Sequence, residues 1–457
     1  MKQPKSQYGF ALLAAGSVLL HTAALPCTAA EDEILTENGF AYALTAEGAT
    51  VTEYVGTAAY VTIPDTLGGA AVTAIGDYAF SPDQNGKASL SVTMPDTVTS
   101  IGDYAFYDCN ALKTVTLSPN LTEIGAYAFA EMASLTELEL PSALESVGEG
   151  CFTLSVKLQS LVLPEGITEI PAHCFNGCKA LTECPIPAAV TSIGESAFFG
   201  CSGLTAITVP TGVTEIAPNA FRSCSAMTEC TILGTVTSVG QQAFSGCSSM
   251  TAMPDLTQCT VYGAAAFSGC RAMATASLPE GTAEIPDQMF NGCAALAELK
   301  IPSTVTSIGT GALQACTALK EIHLPKGLVS VGSMAFVYCS SVKKLLIPAS
   351  VTSLESDAFT LGNQLVVYCY EGTVAEEVCN HGNMPFVVLP ILQDYNADAV
   401  CSVADAVLLT KIITEADGSA SVAAPALDCN SDSLVDIDDV TAYLKGLALY
   451  AKAPIEA

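Results

Sequence analysis

A 23-residue repeat runs through most of the chain. Phenylalanine recurs at every twenty-third position from Phe106 to Phe290 and, beyond Leu313, again up to Phe359. An earlier copy, at Phe80, lies further away because the polar stretch SPDQNGKAS lengthens that copy. A fixed period of this length indicates a solenoid, in which each coil buries its apolar side chains only against its two neighbours. The period therefore argues against one compact core.

Two short extended segments are expected in each coil. In LKEIHLP the apolar residues Leu319, Ile322 and Leu324 alternate with polar ones, which favours a short strand that ends at Pro325. The segment VTSIG is a second β-prone run, and its glycine allows a tight bend. The segment AFxxC then turns the corner as a turn or a short helix.

These segments are similar to a known repeat class. VTSIGDYAFYDCNAL, VTSIGESAFFGCSGL and LVSVGSMAFVYCSSV resemble the BspA-like leucine-rich repeats of bacteria. The resemblance covers residues 60–366 and implies a β-rich solenoid of about 12–13 coils of 23 residues with short parallel strands. It also implies an N-terminal β-cap at residues 31–59 and a C-terminal cap at residues 367–390, which shield the terminal coils.

The first thirty residues are interpreted as a secretory signal peptide. Lys2 and Lys5 precede an apolar run that begins at Phe10, and small residues precede Glu31. Cys27 leaves a lipid anchor as an alternative, although the preceding proline is unusual for such a site. No later apolar run is long enough to span a membrane. We therefore expect a secreted, extracellular protein that does not insert into a membrane.

The charge of the chain limits the classes of partner that it can bind. The formal net charge is −30, with only 16 lysines and arginines. Because binding to phosphate groups requires clustered cations, nucleic acid and anionic lipid are not expected as partners. The histidines form no recognisable nucleophile or zinc motif, so no catalytic residue is predicted.

One repeat position is occupied by cysteine, three residues after the phenylalanine. A free cysteine packs like a small apolar residue, so we interpret this column as reduced core thiols. Disulfides among some of them, or a bound metal, are the alternatives. The column consists of Cys109, Cys178, Cys201, Cys224, Cys247, Cys270, Cys293, Cys316 and Cys339.

Strand alternation is expected to turn a set of acidic residues outward. No aromatic residue occupies these strand positions and the chain has no tryptophan, whereas sugar-binding and single-stranded nucleic-acid surfaces usually offer aromatic platforms. A protein ligand is therefore favoured, and the alternative is that the carboxylates only keep the sheet soluble. The candidate ligand face consists of Glu137, Glu139, Glu183, Glu229, Glu298, Glu321 and His323.

After Pro390 the repeat ends and two acidic segments follow, DYNADAVCSVAD and DCNSDSLVDIDD. Each places oxygen ligands at the spacing of a twelve-residue calcium loop, so two calcium ions are predicted. The mid-loop glycine is replaced by Ala399 and Ser433, which costs about 1–2 kcal/mol where the backbone is left-handed. The predicted ligands are Asp394, Asn396, Asp398, Val400, Ser402 and Asp405 in the first loop, and Asp428, Asn430, Asp432, Leu434, Asp436 and Asp439 in the second.

Each acidic segment runs into helix-like sequence, and the duplicated loop and helix resemble a type I dockerin of cellulosome systems. The resemblance covers residues 391–450, followed by a tail at 451–457, and implies a small all-α module that docks onto a cohesin of a scaffoldin, a complex used in polysaccharide catabolism. The cohesin contacts that it implies are Val403, Ala404, Thr410, Lys411, Ile437, Asp438, Leu444 and Lys445.

The sequence thus favours a non-catalytic secreted protein that docks through calcium and presents a repeat surface to an unidentified protein ligand. It is expected at the cell surface through the cellulosome. The first alternative is an adhesin that binds host or neighbouring cells. A peptidase regulator or a hydrolase is the second alternative, for which no catalytic residues are found.

Overall fold

The computed structural model describes residues 35–82, 90–359, 365–382, 384–390, 406–407, 429, 437–451 and 453. The predicted signal peptide lies outside these residues, as does most of the predicted dockerin.

Almost every element is a short strand. Helix α1 spans Val374–His381 and helix α2 spans Ile437–Tyr450. In chain order the strands are β1 (Leu35–Glu37), β2 (Phe40–Thr45), β3 (Gly48–Tyr54), β4 (Tyr60–Thr62), β5 (Thr66–Leu67), β6 (Ala70–Ile75), β7 (Ser91–Thr93), β8 (Ser100–Ile101), β9 (Thr114–Thr116), β10 (Glu123–Ile124), β11 (Ser146–Val147), β12 (Glu169–Ile170), β13 (Ser192–Ile193), β14 (Ala206–Val209), β15 (Glu215–Ile216), β16 (Glu229–Ile232), β17 (Ser238–Val239), β18 (Val261–Tyr262), β19 (Thr275–Ser277), β20 (Glu284–Ile285), β21 (Glu298–Lys300), β22 (Ser307–Ile308), β23 (Ser330–Val331), β24 (Lys344–Leu346), β25 (Ser353–Leu354), β26 (Val366–Tyr370) and β27 (Phe386–Leu389).

The VTSIG segments form one side of the solenoid, which we call face A. Strands β6, β8, β10 and β11 lie in one sheet, and the ladder resumes as β12–β13, β15–β17–β18 and β20–β22–β23–β25. All these neighbours are parallel and offset by one repeat, as where Glu123 pairs with Ser146. The last residue of each strand, an isoleucine, valine, leucine or tyrosine, is buried and the residue before it is more exposed, which confirms the β-strand predicted for this segment.

The second extended segment of each coil forms face B, on which the pairing is less continuous. Its sheets are β4–β7–β9, β14–β16, β19–β21 and β24–β26–β27. The strand predicted in LKEIHLP is absent: Leu319, Ile322 and Leu324 are buried as expected, but the segment is not a strand. Because each coil offers only three or four residues before the proline, a small shift between coils is enough to break the ladder hydrogen bonds.

Stacked phenylalanines form the core between the two faces. From Phe80 to Phe290 successive rings lie 4.8–6.1 Å apart, with planes within 15° of parallel. Leu313 fills the next slot and is fully buried, and the column ends with Phe336 stacked on Phe359 at 5.8 Å. Each stacked pair stabilises the coil interface by about 0.5–1.5 kcal/mol beyond its buried area. Each 23-residue repeat therefore adds one ring to the stack.

The caps lengthen the solenoid. Strands β1, β2 and β3 are antiparallel, and β3 then pairs in parallel with β6, while β26 pairs in parallel with β24. The structure has about 14 turns, slightly more than the 12–13 coils expected, because both caps continue the strand ladders of the coils. At the C-terminal end β26, α1 and β27 follow in the order strand, helix, strand.

The corners between the faces rely on left-handed backbone. In one coil the amides of Tyr104, Phe106 and Asp108 donate to carbonyls of the next coil at 2.8, 2.8 and 3.1 Å. Tyr104 and Asp108 both have φ of 56°, and equivalent left-handed residues recur in the following coils. The left-handed residues allow every second amide to point along the solenoid axis, so the corners are hydrogen-bonded like the faces.

Two corner glycines provide a matched test of this packing. Gly150 and Gly311 occupy the same corner position with φ of 58° and 60°. A Cβ added at Gly150 would lie 2.3 Å from a ring carbon of Tyr127, whereas one at Gly311 would meet its nearest atom at 3.5 Å. We expect both alanine variants to lose about 1–2 kcal/mol through strain. Gly150→Ala should lose about 1–3 kcal/mol more, because the tyrosine ring must move.

Urea unfolding followed by far-ultraviolet circular dichroism measures both losses, and the near-ultraviolet tyrosine signal reports the displaced ring. Equal losses for the two variants would contradict the close packing of Tyr127 on Gly150.

Candidate binding surfaces

The acidic residues of the candidate ligand face lie on face B. Glu137, Glu183, Glu229, Glu298 and Glu321 are exposed and stand one position before a buried apolar residue in their coils. Glu139 is exposed in the same way, two positions after Glu137. The seven predicted residues therefore share one side of the solenoid, since the alternation places them outward.

Several of these carboxylates have a partner in their own coil. Lys300 Nζ lies 3.9 Å from Glu298 Oε1, and His323 Nε2 lies 3.7 Å from Glu321 Oε2. The hydroxyl of Thr231 donates to Glu229 Oε1 at 3.1 Å. Such exposed pairs contribute only about 0.2–1 kcal/mol each, so they do not prevent these side chains from binding a partner.

Face B has a concavity where the repeat is irregular. Between Ala252 and Thr275 the pairing is reduced to a single bridge, and residues 253–257 are not in a strand. An open groove of about 430 Å³ lies there, lined among others by Asp255, Glu298 and Lys300. Glu298, a residue of the predicted ligand face, thus lies on the exposed sheet and also beside this groove.

The cysteine column forms a hydrogen-bonded ladder. Each of its nine thiols is free and donates to a main-chain carbonyl of the preceding coil at 3.0–3.2 Å. The acceptor is the carbonyl of the column phenylalanine, or of Leu313 for Cys339. Ser155 occupies the same position in its coil, and its hydroxyl donates to Phe129 at 2.7 Å. The position therefore suits a small side chain that also donates a hydrogen bond, although Met132 fills it without a donor in the coil of Phe129.

Burial makes these thiols poor nucleophiles. It raises the pKa of Cys293 and Cys339 to about 12, and it raises the pKa of Cys201 well above its ordinary value. Because the thiolate is the reactive and metal-binding form, thiols with raised pKa values stay protonated and react slowly at neutral pH. The column packs the core.

A row of tyrosines lies at one corner of the solenoid, and the sequence pattern did not predict a surface there. Tyr78, Tyr104 and Tyr127 stack with ring centroids 4.9 and 5.1 Å apart. All three have left-handed backbone, which costs about 1–2 kcal/mol in a residue with a side chain. Three such residues cost about 3–6 kcal/mol and two stacked pairs return about 1–3 kcal/mol, so stacking offsets only part of the strain. The same left-handed backbone carries His173, Ser196 and Asn219 in other coils, so the strain belongs to the corner and not to tyrosine.

The predicted calcium loops lie almost wholly outside the described residues. Of their twelve predicted ligands only Asp439 is described: it is fully buried near the start of α2, and its Oδ1 accepts the main-chain N–H of Cys429 at 2.7 Å. Cys429 is the second residue of the second predicted loop, so the two ends of that loop are close together.

Of the predicted cohesin contacts, the structure describes the side chains of Leu444 and Lys445, which are exposed on α2. Ile437 and Asp438 begin α2, and Val403, Ala404, Thr410 and Lys411 lie outside the described residues. The far end of the helix packs on the solenoid, where Leu449 meets an apolar cluster of Leu346, Tyr368 and Leu389.

The repeat pattern matches a known family model. Residues 73–188, 168–295 and 253–366 match the BspA-type leucine-rich repeat region. The chain belongs to this family. The residues matched include both strand faces, the phenylalanine column and the cysteine column, so the resemblance seen in the sequence is confirmed for the repeats.

Two solved structures of bacterial proteins have the same fold as this chain. One from Bacteroides ovatus is 22% identical, covers 78% of this chain and 97% of its own length, and has a TM-score of 0.59. The pneumococcal vaccine antigen PcpA is 20% identical and covers 78% of this chain and 98% of its own length, with a TM-score of 0.50. A leucine-rich cell surface protein from Faecalibacterium prausnitzii is 25% identical over 80% of this chain and 97% of its own, with a TM-score of 0.46.

No curated protein is significantly similar to this leucine-rich repeat chain in sequence. Within the part of the chain that the structure describes, no helix has the length and apolar character needed to cross a membrane.

The cysteine ladder predicts which serine substitutions the leucine-rich repeats tolerate. In Cys201→Ser the new hydroxyl can donate to the carbonyl of Phe175, as Ser155 does to Phe129, so we expect a loss below about 1 kcal/mol. Cys184 is also buried but lies in the strand column, and its serine variant should lose about 1–3 kcal/mol as an unpaired hydroxyl. Urea unfolding under reducing conditions compares the two, and a larger loss for Cys201→Ser would refute the ladder.

The raised thiol pKa values predict a loss of stability at alkaline pH. An unfolded cysteine ionises near pH 8.5, roughly, whereas Cys293 and Cys339 ionise only at about 12 in the folded protein. Their contribution is therefore complete below the unfolded pKa and is lost as pH rises toward the folded pKa. We expect the free energy of unfolding to fall between pH 7.5 and 9.5, and to fall less in a Cys293→Ser/Cys339→Ser variant. An identical pH profile for both proteins would argue against protonated buried thiols.

Proposed function

We propose that this chain is a non-catalytic, secreted repeat protein that docks through a calcium-dependent dockerin onto a scaffoldin cohesin and presents its solenoid to another protein. The chain would then be extracellular and held at the cell surface by the cellulosome. Two parts of the molecule support the proposal, the C-terminal loop and helix and the exposed side of the solenoid.

The contact between Asp439 and Cys429 is the observation that carries the docking half. In a twelve-residue calcium loop the carboxylate at the last position returns to the first residues of the loop, because all ligands surround one ion. Asp439 stands at that position, is buried, and accepts the main-chain N–H of the second loop residue at 2.7 Å. This contact fits a closed loop, and the acidic spacing from Asp428 to Asp439 supplies the ligands for a bound calcium ion.

When bound, calcium would neutralise the crowded carboxylates of each loop. Unit charges about 4 Å apart repel by about 4 kcal/mol at an effective dielectric near 20, so the two loops need a cation to close fully. The first loop would use Asp394, Asn396, Asp398, Ser402, Asp405 and the carbonyl of Val400. The exposed Leu444 and Lys445 on α2, with Thr410 and Lys411 at the matching places of the first half, would then contact the cohesin.

The solenoid supplies the protein-binding half of the proposal. Face B carries exposed carboxylates along its length and a groove of about 430 Å³ beside Glu298. Repeat proteins use such extended surfaces to bind partners, since each coil adds one row of outward side chains. A solenoid that binds host or neighbouring cells directly, as an adhesin, is the second candidate, and the same exposed face supports it.

Calorimetric titration with calcium tests the docking half. The full mature chain should bind two calcium ions per molecule, and Asp394→Ala/Asp398→Ala and Asp428→Ala/Asp432→Ala variants should each bind one. Asp255→Ala, on the solenoid groove, is the control and should bind two. Binding to a panel of cohesins should require calcium and be abolished by a chelator.

Absence of calcium uptake would reject the docking module and would bring the adhesin candidate forward. Retention of the protein on intact, calcium-depleted cells would support that candidate directly.

A further inference from the structure

The tyrosine row at the N-terminal corner has the features of a binding surface. Tyr78, Tyr104 and Tyr127 stack with planes 1° and 9° from parallel, and Tyr107 packs edge-on against Tyr104 at 5.6 Å. We call these four residues the tyrosine ledge. Tyr78 begins the row and is 55% exposed, and the other three are half-buried. The ledge thus offers one largely exposed ring, that of Tyr78, and parts of three others.

The row of stacked tyrosine rings is covered at one end and exposed at the other. Tyr127 lies directly over Gly150, at which an added Cβ would come within 2.3 Å of the ring. At the other end Tyr78 makes its ring contact with Tyr104 and keeps more than half of its surface exposed. Other side chains share this left-handed corner in later coils, so it is the exposed ring of Tyr78 that marks the row as a surface.

Carboxylates surround the ledge and are held in fixed positions. Tyr107 Oη donates to Glu131 Oε1 at 2.9 Å, and Tyr127 Oη donates to Glu149 Oε1 at 3.1 Å. Asp103 Oδ1 accepts the main-chain N–H of Ala126 at 2.7 Å beside the same rings. The hydrogen bond to Glu131 is the main cause that raises the pKa of Tyr107 to about 12, so the phenol stays neutral.

The local charge is strongly negative. Burial raises the pKa of Tyr104, and Asp103 and Glu149 lie close enough to raise it further by charge repulsion. Beside the hydrogen bond from Tyr107 to Glu131, the charges of Glu131 and Asp108 act on the pKa of Tyr107 in the same way. A positive side chain is stabilised by two interactions at such a place. The ring quadrupole attracts a cation placed over its face, and the fixed carboxylates pair with it. A sugar would instead need several open ring faces, and the stacking leaves one.

We propose that the tyrosine ledge is a docking site for an arginine- or lysine-bearing segment of a partner protein, with one cationic side chain over Tyr78 and others paired with Glu131 and Glu149. The proposal deepens the protein-binding half of the proposed function and does not depend on the calcium module. In an extended segment, basic residues at alternate positions recur on one side about every 6.6–6.8 Å, so three of them are enough to span the stacked rings, which lie 4.9 and 5.1 Å apart.

Binding of a short peptide to the full chain tests the ledge. The probe alternates arginine and glycine, is capped at both ends, and is compared with the same peptide in which citrulline replaces arginine. Calorimetry gives Kd, and because the chain has no tryptophan, the change in tyrosine fluorescence between the chain and its Tyr78→Gly variant reports the part that comes from the ledge. We expect the arginine peptide to bind, more weakly as salt is added, and the citrulline peptide not to bind measurably.

Two variants and a matched control separate binding from folding. Tyr78→Gly removes the exposed ring and also relieves the left-handed strain, so it should fold normally and weaken binding about fivefold. Glu131→Gln/Glu149→Gln should weaken binding about fivefold and flatten its salt dependence. Tyr338→Gly is the control: Tyr338 is 59% exposed with φ of 63° but lies far from the ledge, and its variant should leave Kd unchanged.

Equal binding of the citrulline peptide, or equal weakening by Tyr338→Gly, would overturn the proposal. Binding of a neutral oligosaccharide that Tyr78→Gly abolishes, without binding of the arginine peptide, would also overturn it and would assign the ledge to glycans. Calcium-dependent cohesin binding, measured on the same samples, separates failure of the ledge from failure of the docking module.

Discussion

Neighbouring coils must have the same number of residues in their strands and corners, and the rest of the molecule depends on this constraint. The stacked rings, the parallel ladders of faces A and B and the corner amides all connect a residue to one about a repeat away. One additional residue in a strand would turn its side chains to the opposite side and take the phenylalanine out of the stack. The longer copy between Phe80 and Phe106 fits this constraint, because its additional residues belong to a polar stretch.

The periodic part of the fold could be predicted from the sequence because burial repeats with the same period. The phenylalanine column, the cysteine column and the short strand of face A follow directly from which residues are apolar in each copy. The strand expected around Ile322 is absent, since strand pairing depends on small shifts between coils that the apolar pattern does not record. Left-handed corners also escaped prediction, because alanine, serine and leucine occupy them as well as glycine.

The candidate surfaces were predictable only where alternation decides which way a side chain points. Alternation places Glu137 and Glu183 outward on face B, and the structure has them there. The tyrosine ledge was overlooked although Tyr78, Tyr104 and Tyr127 stand two residues before column phenylalanines, because a corner has no simple rule for side-chain direction. Asp439 was found from its spacing alone, yet its contact with Cys429 depends on the path of the chain between them.

Each column thiol reaches one coil back and no further. In the unbroken run from Cys178 to Cys339, a coil therefore presents the same donor to the coil before it and the same acceptor to the coil after it. A gene that gains or loses one whole copy by unequal recombination would restore every one of these bonds at the new junction. The number of coils, and with it the length of the binding surface, can thus change in single steps while the core chemistry stays the same.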